Sequence, residues 1–135
     1  MGYVMLNLAE MFGEPIHVYS RAQAFEDGVL IDVSKIAKEA GFMIPVALTH
    51  AVWADCVVWV EEEEKAIQDE VGRLWDVVFM SALAAQRANQ EGSAQVLLMR
   101  VPRGGVRPQV VKLNMVVGAG DTQDPVITIM QQGED

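Results

Sequence analysis

One cysteine, Cys56, stands in 135 residues, so no disulfide framework can form within the chain, and the composition fits a reducing compartment. Positive charge is scarce. Ten Lys and Arg face nineteen Asp and Glu, for a formal net charge of −9. A balance of that sign repels phosphate backbones, which argues against direct nucleic-acid binding and leaves room for a basic protein partner. Imidazole is limited to His17 and His50. Neither His-x-x-x-His nor Cys-x-x-Cys spacing occurs, so no metal site is expected, and no cofactor is implied. No run of about eighteen apolar residues exists, so no membrane span is expected. The start, Met1 to Asn7, lacks the basic, apolar and small-residue regions of a signal peptide. The chain is therefore read as cytoplasmic.

What is present is apolar: 51% of the residues, enough for the core of one domain over 1–135. The spacing predicts a short helix at Leu6–Gly13 and a short strand at Ile16–Tyr19. Ser20 is placed to cap a helix over Arg21–Asp27 that Gly28 ends. Val29–Val33 reads as a strand, and Ser34 as the cap of a helix over Lys35–Ala40. A buried helix is expected from about Val46 or Thr49 to Val58 or Trp59. The longest periodic stretch, Gly72–Ala88, is the core helix, with Asp69 or Glu70 at its positive N-terminal end. Thereafter the period changes to two. Strands are predicted over 95–101, 109–117 and 126–130, joined by the turns Pro102–Gly105 and Gly118–Pro125, with a loose tail from Gln131. The fold class is α+β: short N-terminal helices and one or two short strands, two core helices, then a C-terminal three-stranded antiparallel meander.

Chemistry is sparse. Cys56 follows His50 by six residues, about 600° of helical rotation, so the two are expected on different faces and the thiol is read as buried and inert. The basic turn Pro102–Arg107 joins two strands and does not lead into a helix, so phosphate-loop logic does not apply. Three groups stand out. His17, Tyr19, Arg21 and Asp32 form a candidate pocket, set against the plainer reading of strand alternation and capping. Trp53, Asp55, Asp69, Arg73, Trp75 and Asp76 form a candidate polar network at a helix–helix contact, in which carboxylates could accept indole N–H groups; the plainer reading is two core tryptophans. Glu61, Glu62, Glu63 and Glu64 form an acidic surface, ordinarily a solvated edge.

The stretch Tyr19-Ser20-Arg21-Ala22-Gln23-Ala24-Phe25-Glu26-Asp27-Gly28-Val29-Leu30-Ile31-Asp32-Val33-Ser34 resembles the opening of a family of small proteins of unknown function from bacterial plasmids, prophages and other mobile elements. The resemblance continues through Pro45–Thr49, Ala51–Cys56, Gln68–Glu70, Gly72–Val77 and Asp124–Met130. His50 stands where that pattern has Arg. The resemblance implies no reaction, ligand or catalytic residue.

The leading expectation is a non-enzymatic accessory protein of a mobile genetic element that acts through protein–protein contacts. Strands apolar on both faces point to self-association as one form of contact. An acidic inhibitor of host defence is one version of it. The alternatives are a small-ligand binder or enzyme using the His17, Tyr19, Arg21 and Asp32 pocket, and a structural subunit of a larger assembly.

Overall fold

The computed structural model describes residues 19–60, 68–88 and 92–134. The expected helix at Leu6–Gly13, His17 of the candidate pocket, most of the first expected strand and the acidic run Glu61–Glu64 lie outside the described residues.

Local chemistry sets the first elements. Helix α1, Arg21–Glu26, begins at Ser20, whose hydroxyl accepts from the Gln23 amide while the Gln23 side chain accepts from the Ser20 amide. This reciprocal box satisfies two amides that the helix cannot. Gly28, at φ +75°, then turns the chain into strand β1, Leu30–Asp32. Helix α2, Ser34–Glu39, departs from expectation at its start. Ser34 is its first residue and not its cap. Asp32 Oδ1 accepts the Ser34 amide, and the Ser34 hydroxyl bridges to Val46, accepting from its N–H and donating to its carbonyl.

The larger correction concerns the start of the next expected helix: of its two expected starts, Thr49 holds and Val46 does not. Val46–Thr49 is strand β2, not helix. A single helical turn, α3, His50–Val52, follows, and a π turn occupies Trp53–Val57. Thr49 is the cap, its Oγ1 accepting from the Val52 amide. The reason is pairing on both sides. β2 runs antiparallel to β1 and parallel to strand β5, Pro125–Gln131, and its first three residues are fully buried.

Helix α4, Glu70–Arg87, is the expected core helix, started by Asp69, which accepts the Gly72 amide at 2.7 Å. Strands β3, Ser93–Arg100, and β4, Gln109–Ala119, complete a five-stranded sheet in the order β1-β2-β5-β4-β3. β3, β4 and β5 do run antiparallel in sequence order. They are, however, part of a mixed sheet joined through the parallel β2–β5 pair, and not a separate meander.

The alternation of each strand sends Val46 and Leu48, Ile127 and Ile129, Leu113 and Met115, Val96 and Leu98 to one face, where they meet Val52, Cys56, Val57, Val77, Val78 and Ala82. Each large side chain there contributes roughly 1.5–3 kcal/mol relative to exposure. The other face is covered at one end by α1. Arg21 Nη1 donates to Thr128 Oγ1 at 2.7 Å and Nη2 to the Ile127 carbonyl at 2.9 Å. The tail, expected to be loose, is tied as far as Glu134, whose carboxylate accepts from Thr49 Oγ1 and the Gln131 amide. Among the described residues, no helix is long and apolar enough to cross a membrane.

Candidate functional site

Tyr19 and Arg21 line one wide groove of about 1210 Å³, between α1, the end of β2 and the β4–β5 turn, with His50, Asp121 and Glu134 on its walls. Both side chains already have partners within the chain. The Tyr19 hydroxyl donates to Asp27 at 2.6 Å, and that carboxylate holds the phenol above its ordinary range. The Arg21 guanidinium is committed to Thr128 and Ile127, lies 5.5 Å from the Phe25 ring centre, and is held below its usual value by partial burial. Asp32 is not on the wall of that groove. It lines a second hollow of about 220 Å³ on the other side of Arg21. Asp121 organises this corner. Its two oxygens accept the Arg21 and Ala22 amides at 2.8 and 2.9 Å, and these bonds lower its pKa.

The second group gathers where α4 starts, the π turn ends and β3 runs out. Arg73, on the first turn of α4, is 4% exposed. Its Nε donates to the Val57 carbonyl at 3.2 Å, Nη1 to the Val101 carbonyl at 2.8 Å, and Nη2 to the Asp55 carbonyl at 3.4 Å. The guanidinium carbon sits 4.6 Å from the centre of the Trp59 ring, a cation–π distance. The Asp55 carboxylate faces the other way. Arg100 Nη2 donates to both its oxygens, at 3.0 and 3.2 Å, and Gln131 Nε2 to one at 3.2 Å.

Of the six residues that the sequence grouped, Asp55 and Arg73 therefore meet, through the Asp55 carbonyl and not its carboxylate. Asp69 caps α4, Asp76 is exposed, Trp53 packs on the core cluster and Trp75 stacks on Phe79 with ring centres 5.9 Å apart. Trp59, Arg100 and Gln131 were not in the group. The alternation of β3 puts Arg100 on the same face as Val96 and Leu98, and that charge on an inward position was the available signal.

Cys56 is buried beside this cluster. Burial, with the Asp55 carboxylate next to it, pushes its thiol up to about 12. At neutral pH it is a protonated, unreactive thiol. His50, six residues earlier, is exposed. Among the described residues, no group of three His, Cys, Asp or Glu side chains is placed to hold a metal ion.

Residues 5–135 match the model of a family described as a family of unknown function, DUF6573. No curated protein and no solved structure matches the chain significantly. With nearly the whole length matched, the chain belongs to the DUF6573 family of unknown function.

Proposed function

We propose that this chain is a non-enzymatic, cytoplasmic accessory protein of a mobile genetic element that works through protein–protein contacts, beginning with a second copy of itself. The observation that carries this reading is the edge of the sheet. Among the described residues β3 closes that edge, and its eight residues contain no proline and one charge, Arg100. Natural edges are usually blunted by proline, lysine or a bulge. This one presents Leu97 and Met99, 52% and 57% exposed, beside Val110, 60% exposed and opposite Met99.

An antiparallel pairing of two β3 strands about Leu97 is self-complementary. It sets Leu97 against Leu97, Gln95 against Met99 and Val96 against Leu98 of the second copy. No like charges oppose one another in that register. The net charge of −9 per chain gives such a unit an acidic exterior suited to a basic host protein. The word pattern shared with plasmid and prophage proteins supports the mobile-element setting. Co-expression of two differently tagged copies tests the reading: each tag should recover the other chain, and the reading fails if they never co-purify.

A second reading, a small-ligand binder, rests on the groove shared by Tyr19 and Arg21. Both residues are held by partners within the chain, so a ligand would have to displace those bonds or use His50.

A further inference from the structure

Helix α4 runs alongside β3 in the opposite direction. Met80, Leu83 and Arg87 share a hollow of about 340 Å³ with Ser93 and Leu97, and Asp76 shares one of about 200 Å³ with Met99. Asp76, Met80, Leu83 and Arg87 recur at spacings of four, three and four, so they form one flank of the helix. The two hollows place that flank toward the β3 edge. Asp76 and Arg87 are exposed, and Met80 and Leu83 are half-buried. The two charges stand about 16 Å apart along the helix axis, three turns.

The order along this flank is acid, apolar, apolar, base. It is its own complement when reversed. Turning one helix end for end sets Asp76 against Arg87 and Met80 against Leu83, because both pairs are centred between Ser81 and Ala82. The two-fold axis that pairs β3 with β3 about Leu97 imposes that reversal. Leu97 shares its hollow with Met80 and Leu83, the residues on either side of the same centre. Strand and helix thus point to one axis through separate residues.

We infer that the partner fitting this edge is a second copy of the chain, held in register by α4. Asp76 of each helix faces Arg87 of the other, with Met80 and Leu83 between them. The inference rests on the β3 self-pairing proposed above and adds what selects the partner. An open strand edge is a template for any extended chain. The helix flank rejects chains that would bring like charges together.

Asp76→Arg and Arg87→Glu test it, each in the full chain, alone and mixed one to one, by sedimentation velocity. Alone, each variant sets like charges together at both ends of the helix pair. Its dimer dissociation constant should rise at least about tenfold. The mixture should return to wild-type affinity, because each substituted side chain then meets an opposite charge. Overall charge predicts otherwise. Asp76→Arg makes an acidic chain two units less negative and would tighten association, and both variants remain acidic, so neither attracts the other. Asp76→Asn, which keeps the side-chain shape, should weaken association about threefold, and it decides the matter if another variant fails to fold. Charge variants that dimerise like wild type, or a mixture no tighter than its parts, overturn the α4 register and leave the β3 contact standing. A wild type that stays at one chain mass overturns both.

Discussion

Arg100 and Asp55 are joined at 3.0 Å across 45 residues of sequence, linking the last residue of the edge strand to the π turn that precedes α4. The pair is partly shielded, with the Asp55 side chain 32% exposed. It holds three elements in register, because Gln131 of β5 donates to the same carboxylate.

Removing the charge should therefore cost more than a surface pair would. Asp55→Asn leaves Arg100 with a poorer acceptor and an uncompensated, largely buried charge. A destabilisation of about 1–3 kcal/mol is expected, below the range for fully buried pairs because Asp55 reaches solvent. Urea unfolding of wild type and variant under the same buffer measures it. A change within about 0.5 kcal/mol, the range of ordinary surface substitutions, would show that the pair is not a structural tie.

Cys56 sets a pH dependence. Its folded pKa, pushed up to about 12, lies above the ordinary thiol value of 9.0. The unfolded chain therefore loses this proton first as pH rises. Stability from this group is full below pH 9 and declines between 9 and 12, by about 1.4 kcal/mol per pH unit. The difference in slope between wild type and Cys56→Ala, measured by denaturant unfolding at pH 8 to 10, should show it. Equal slopes would contradict the burial of the thiol. In the folded chain at neutral pH the same thiol should react with a disulfide reagent only at the rate of unfolding.

Asp121 acts in the opposite direction. Its pKa is lowered by the Arg21 and Ala22 amides. Its contribution is present above the ordinary carboxyl value of 3.8 and is lost as pH falls through the lowered value. Asp121→Ala should expose the Arg21 and Ala22 amides to faster hydrogen exchange at neutral pH, while the β4 and β5 amides keep their protection. Unchanged exchange at Arg21 and Ala22 would mean that Asp121 does not anchor α1.

What could be read beforehand follows the range of the interactions. Though its return bond from Gln23 was not read, the Ser20 cap, closed within four residues, was legible. So was α4, whose cap and apolar period are local. β2 was not. Val46-Ala47-Leu48 is apolar on both faces, as a central strand is, and such a run has no period to separate it from a buried helix. Only the pairing of Val46 with Ile127 and Leu48 with Ile129, some eighty residues on, decides it. Ser34 looked like a cap because its hydroxyl partner, Val46, is twelve residues away. The polar cluster was half legible for the same reason. Asp55 and Arg73 share the helical half, whereas Arg100 and Gln131 arrive from the sheet.

If β3 pairs with a second copy as proposed, association will follow concentration, and sedimentation velocity over a wide concentration range measures it. Wild type should move from the mass of one chain toward twice that mass as concentration rises. Leu97→Lys, which adds a charge at the centre of an exposed edge, should remain at one chain mass with an unchanged circular dichroism spectrum. A wild type that stays at one chain mass throughout, or a Leu97→Lys variant that associates equally well, would contradict the account.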